Sequence, residues 1–194
     1  QERLGGKIGI GAGITTVQDT FGKIFNEGTA FQRDGSQFDR LFKDGDSIHI
    51  GQMRCDVMHT PGHTPACLTY LFSDGGRDGG SDKAAFVGDT LFMPDFGTGR
   101  TDFPGGCARA LYRSIQRLLS LPEQTVFYLC HDYGGEDREG FSCVVSLAEM
   151  REQNVHLQNH PCEDSFVAFR EKRDKKLSMP ALFHWAVPFN LPSS

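Results

Sequence analysis

No apolar stretch in these 194 residues approaches the roughly 18 needed for a helix to cross a bilayer, which argues against a helical membrane protein. The opening "QERLGGKIGIG" lacks the charged-then-apolar pattern of a secretory signal. Six cysteines, at 55, 67, 107, 130, 143 and 162, include no Cys-x-x-Cys pair, so free thiols in a cytoplasmic protein are expected rather than a disulfide framework. There is no Lys/Arg stripe and the net charge is −5, which leaves no electrostatic footprint for nucleic acid. The densest basic run, "REKRDKK" (Arg170 to Lys176), is broken by acids and reads as a solvated helix face. With no internal repeat and no linker, residues 1–194 are expected to form a single domain.

What is present is 38% hydrophobic and 23% charged, with twenty-three Gly and nine Pro, the balance of a loop-rich α/β protein rather than a helical bundle. "QERLGG" reads as the last turn of a helix capped by Gly5 or Gly6. "KIGIG" then predicts a short strand. "TTVQDTFGKIFNEG" predicts a helix with Val17, Phe21, Ile24 and Phe25 on one face and Gly28 at its end. Strands are predicted at "SIHI", "RCDVMHT", "ACLTYLF", "KAAFVGDTLF" and "TVFYLC", with Asp74 to Lys83 as a hairpin loop. "CARALYRSIQRLLSL" places Leu111, Ile115, Leu118 and Leu119 on one helical face. "SLAEMREQN" and "CEDSFVAFREKRDKKL" predict two further helices, the second starting at Cys162 or Asp164. The pattern is that of a layered α/β domain with a mixed or antiparallel sheet.

The chemistry-bearing residues fall at strand ends: His59 and His63 around the Pro61-Gly62 turn, Asp89, and His131. Asp89 interrupts the apolar run "AAFV…LFMP", where a carboxylate is costly unless it is paired or holds a metal. Strand ends meet at one edge of a layered sheet, so these groups are expected to converge. Two imidazoles and a carboxylate suit a non-haem iron oxygenase, and the same residue types serve a zinc hydrolase.

"HTPGHTPACLTY", "AAFVGDTLF", "GTGRTDFPGGCARALYRSI" and "LCHDYG" together resemble the metallo-β-lactamase superfamily, and within it the persulfide dioxygenase branch with its bacterial β-lactamase-like hydrolase relatives. "GRTDF" separates this branch from glyoxalase II. The resemblance implies an αββα sandwich with a metal at one edge of its sheets, and a single Fe(II) held by two histidines and an aspartate. It makes His63 and Asp89 metal ligands. It also carries His131 as a metal-site residue: a second-metal ligand in glyoxalase II and a hydrogen-bonding catalytic group in the dioxygenases. His59 is expected to shape the turn. Glutathione persulfide and O₂ are the implied substrates, with sulfite and glutathione as products, and a homodimer is open as the assembly. Arg100 would hold a glutathione carboxylate, or else pair with Asp102. Tyr133 would bind substrate and assist catalysis, or else pack. Cys107 is expected to pack at a helix start, or else to serve as a redox thiol.

The resemblance also implies an HxHxDH motif upstream of "QERLGG", so the chain is expected to be an N-terminally incomplete copy of the fold, with fewer metal ligands than the family uses. At the other end, relatives continue "HWAVPFN" with an arginine and a glycine where this chain has "LPSS". Two other functions remain in view. One is a dinuclear Zn(II) hydrolase of thioesters or lactams; the other is a non-catalytic remnant.

Overall fold

The computed structural model describes residues 5–24, 32–74, 83–135, 138–178 and 180. The helix turn expected over "QERL", the Phe25–Gly28 helix end and most of the Asp74–Lys83 loop lie outside them.

Six strands make the main sheet: β3 (Ser47–Ile50), β4 (Met53–His59), β5 (Leu68–Ser73), β6 (Lys83–Phe86), β7 (Val126–Tyr128) and β8 (Val144–Ser146), hydrogen-bonded in that order. All neighbours are antiparallel except β6 and β7, which run parallel because helix α2 (Ala108–Leu119) carries the chain back between them. Period-2 alternation sorts the side chains of these strands onto two faces. Leu71, Ala85, Phe127 and Val145 lie directly opposite one another across four strands. All four are buried in one core with Leu111, Ile115 and Leu118 of α2. Fully burying the larger of these side chains, Leu, Ile, Val and Phe, stabilises by about 1.5–3 kcal/mol each. Helix α4 (Glu163–Asp174) packs against α2, with the Phe166 and Tyr112 rings 5.5 Å apart. Helix α3 (Leu147–Gln153) follows β8 directly and starts with a capping box between Ser146 and Glu149.

The opposite face carries Tyr70, Phe86 and Tyr128 in register, with Phe86 stacked on Tyr128 at 4.8 Å. A second, two-stranded parallel sheet of β1 (Gly9–Gly11) and β2 (Arg40–Phe42), joined through helix α1 (Ile14–Ile24), approaches this face. There Phe42 meets Tyr70 edge-on at 6.0 Å. The layers are therefore helices, large sheet and small sheet, a mixed α/β arrangement as the sequence pattern predicts. Strands β2 and β8, three residues each, carry no alternation long enough to read. The expected apolar face of α1 is only partly realised: Val17 and Phe21 are half-buried, Ile24 is exposed, and Gln18 is buried instead. Gln18 is satisfied by donating to Gln37 and accepting from the Gly35 N–H.

Two further expectations are corrected. Arg170 and Asp174, assigned to a solvated face, are 1% and 4% exposed, because they pair with each other and with a loop 72 to 73 residues away. Cys107 is not packed: it is the exposed N-cap residue of α2.

Candidate metal centre

Strands β4, β6 and β7 all point the same way, since each of the first two is antiparallel to β5 and the third is parallel to β6. Their carboxyl ends therefore reach one edge, and the residues just beyond them are His63, Asp89 and His131. After His59 the chain turns through Pro61-Gly62. Gly62 has φ +145°, and a Cβ there would collide with the backbone of Leu111, so only glycine lets this turn sit directly on α2. His59 itself is occupied structurally, with Nε2 2.9 Å from the Pro65 carbonyl. After β6, Asp89 sits in a single helical turn (Gly88–Thr90) at φ −87°, ψ 20°, a sparsely populated region where many site residues are found.

His63 Nδ1 donates to the Arg100 carbonyl at 2.7 Å, which leaves the Nε2 lone pair directed inward, 3.5 Å from Asp89 Oδ2. His131 Nε2 lies 3.5 Å from the other oxygen, Asp89 Oδ1. The three side chains expected to converge are thus brought together, with Asp89 in the middle. Among the described residues no three His, Cys, Asp or Glu side chains form a set that could hold a metal ion by themselves. The donor chemistry nonetheless fits part of one: an imidazole whose tautomer is fixed by a backbone acceptor, beside a carboxylate, is the usual pairing of ligand and orienting contact.

A pocket of about 330 Å³ opens onto His63 and Asp89 and is walled by Phe92, Phe96, Phe103 and Tyr133. His131 is not among the residues that line it. A larger groove, about 740 Å³, lies against α2 and α4 and holds no imidazole, so it is set apart from this chemistry. Tyr133 stacks on Phe96 at 4.5 Å and meets Phe92 edge-on, with its ring 5.8 Å from that of His131. Burial and the nearby Asp89 charge push its phenol pKa up, so the hydroxyl keeps its proton. Arg100 lines the pocket, but its fork is engaged: Nε and Nη2 each donate to Asp102 at 2.6 Å, and Nη1 donates to the Ser178 carbonyl at 2.9 Å. The guanidinium also covers Phe103 at 4.9 Å.

Two supporting networks were not legible in the sequence. Asp132 accepts from both terminal nitrogens of Arg138 and from the Ser142 and Gly134 N–H groups, which holds its carboxyl well below the usual range. That clamp fixes the loop carrying His131 and Tyr133. The second network is buried beneath the pocket. Arg170 donates to Asp174 at 3.0 and 2.7 Å and to the Thr98 carbonyl at 3.1 Å. Asp174 accepts from the Thr101 N–H and hydroxyl, both at 2.9 Å. His156 Nδ1 accepts from the Thr98 N–H at 2.9 Å. Burial, reinforced by the Arg170 and Arg173 charges, pushes the His156 pKa down to about 3. This network pins residues 98–101, and with them the Arg100 carbonyl that orients His63.

No family model matches the chain. Over 190 residues it is 52% identical to a probable metallo-hydrolase of Burkholderia pseudomallei, covering 97% of this chain and 64% of that protein. It is 41% identical to glyoxylase B2 of Dictyostelium discoideum, over 95% of this chain and 60% of the relative. It is 36% identical to human mitochondrial persulfide dioxygenase, over 81% of this chain and 55% of the relative. Among solved structures, ETHE1 from Myxococcus xanthus superposes with a TM-score of 0.65 at 32% identity, over 84% of this chain and 63% of the other. A metallo-β-lactamase from Staphylococcus aureus gives 0.64 at 25% identity, over 78% and 44%.

By its sequence relatives and structural neighbours, the chain belongs to the metallo-β-lactamase superfamily. Its relatives there include persulfide dioxygenases and β-lactamase hydrolase-like proteins. The chain spans 64% or less of the length of these curated relatives.

Proposed function

We propose that the protein oxidises glutathione persulfide with O₂, using one iron ion held by His63, Asp89 and a further imidazole from outside the described residues. In the balanced reaction, glutathione persulfide, O₂ and water give glutathione, sulfite and two protons; the sulfane sulfur loses four electrons, which the oxygen atoms take up. When bound, iron would supply the one-electron chemistry that lets O₂ react with sulfur. The chain's own residues do the rest. Nδ1–H donation from His63 to Arg100 holds that ring in its ligating tautomer. Phe92, Phe96 and Phe103 exclude water from the sulfur, and Tyr133 keeps a protonated hydroxyl at the pocket rim. His131 orients Asp89 by facing the oxygen that His63 does not.

The observation that supports this reading best is that a pocket walled by Phe92, Phe96, Phe103 and Tyr133 opens directly onto His63 and Asp89. A second reading, a dinuclear zinc hydrolase of thioesters or lactams, draws on a different observation: each oxygen of Asp89 faces its own imidazole, so His63 and His131 would each hold a metal that supplies an activated water. Metal analysis of a His131→Ala variant tests the choice. Retention of one metal per chain agrees with the dioxygenase, and loss of bound metal in step with the substitution favours the hydrolase. Among the described residues no helix is long and apolar enough to cross a membrane.

A further inference from the structure

Three arginines line the pocket: Arg100, Arg170 and Arg173. Their circumstances differ in a way the sequence does not reveal. Arg100 is forked onto Asp102, and Arg170 is buried and forked onto Asp174. Arg173, in the last turn of α4, makes no hydrogen bond from its guanidinium and no ion pair to any described residue; its guanidinium lies over the face of Phe96, 6.0 Å from the ring centroid. A cation in a helix's last turn is favoured by the helix dipole, which accounts for an arginine at this position in the chain. That preference does not direct the side chain over an aromatic wall of the pocket. Arg100 and Arg170 each have a carboxylate partner, so Arg173 is the pocket arginine whose charge is left without one among the described residues.

We infer that Arg173, rather than Arg100, is the anion-binding residue of this pocket, and that it holds a carboxylate of the substrate while the substrate's sulfur end faces His63 and Asp89. The guanidinium supplies a flat, two-pronged donor for that carboxylate. Phe96, already under its face, holds the fork in place without consuming its N–H groups. A volume of about 330 Å³ admits a small organic acid or a short peptide carboxylate. The inference rests on the pocket being the reactive site proposed above, and it names the residue that holds the carboxylate end of that substrate.

The test is calorimetric titration of wild type, Arg173→Gln and Arg173→Lys with two probes, glutathione and succinate. Glutathione is the released thiol in both glutathione persulfide oxidation and glutathione thioester hydrolysis, and succinate carries carboxylates without sulfur. Arg173→Gln is expected to weaken both probes roughly tenfold to hundredfold, the usual loss for a charged hydrogen bond. Arg173→Lys is expected to fall between the two. The melting temperature of Arg173→Gln should match wild type, because no ion pair to a described residue is removed. Glutathione binding that is unchanged in Arg173→Gln overturns the assignment and leaves the proposed reaction standing. Arg173-dependent binding of succinate without binding of glutathione supports the anion subsite and overturns glutathione as the substrate's carrier. If neither probe binds wild type, the subsite is wrong.

Discussion

Asp89 and His131 stand 3.5 Å apart, yet the proposed roles separate them sharply. Asp89→Ala removes a ligand and is expected to abolish metal binding. His131→Ala removes only an orienting contact and is expected to leave metal bound while lowering turnover roughly 10–100-fold. Metal content and rate measured on the same preparations check both. Arg100 is the other informative single residue. Its fork onto Asp102 and its bond to the Ser178 carbonyl cannot be reproduced by an ammonium group. Arg100→Lys is therefore expected to lower stability, by about 1 kcal/mol for a partly exposed pair, read as a modest drop in melting temperature. An unchanged melting temperature with a weakened substrate KM would return Arg100 to the substrate-binding role.

At the scale of elements, the last turn of α4 acts as a clamp on residues 98–101. The side chains of Arg170 and Asp174 are joined four residues apart on one helical face, and each also bonds to that loop. Asp174→Asn would leave a buried guanidinium without its counter-charge, a loss of about 3–5 kcal/mol. For a chain of this length that corresponds to a fall of roughly 10 °C in melting temperature, which differential scanning calorimetry would detect. This clamp was illegible in the sequence for a physical reason. "REKRDKK" looks solvated because alternating charges usually are, and only the tertiary fold places Thr98 and Thr101 against it. The strands show the opposite case. "RCDVMHT" and "ACLTYLF" are long enough for alternation to declare a buried face, whereas "RLF" and "VVS" are not. Helix α2 was readable throughout, since Leu111, Ile115 and Leu118 recur at helical spacing and all are buried.

For the whole molecule, the shared direction of β4, β6 and β7 carries His63, Asp89 and His131 to one edge. The sequence placed them at strand ends, but only the strand order brings them together. Folding as a whole is also coupled to pH through His156. Its folded pKa, about 3, lies below the unfolded value of 6.5, so the unfolded chain binds the extra proton first. Stability from this group is complete above pH 6.5 and is lost as pH falls toward 3, at up to about 1.4 kcal/mol per pH unit. Between pH 6.5 and 4.5, wild type is expected to lose melting temperature faster than a His156→Gln variant. Parallel curves for the two proteins would show that His156 is not the group responsible.

The central claim is that this site oxidises a persulfide sulfur, and O₂ consumption measured together with sulfite release addresses it most directly. Iron-loaded protein given glutathione persulfide should consume O₂ and release one sulfite for each O₂ used, with both signals lost in Asp89→Ala. Hydrolysis of a glutathione thioester by the zinc-loaded protein, with no O₂ uptake on the persulfide, would contradict it.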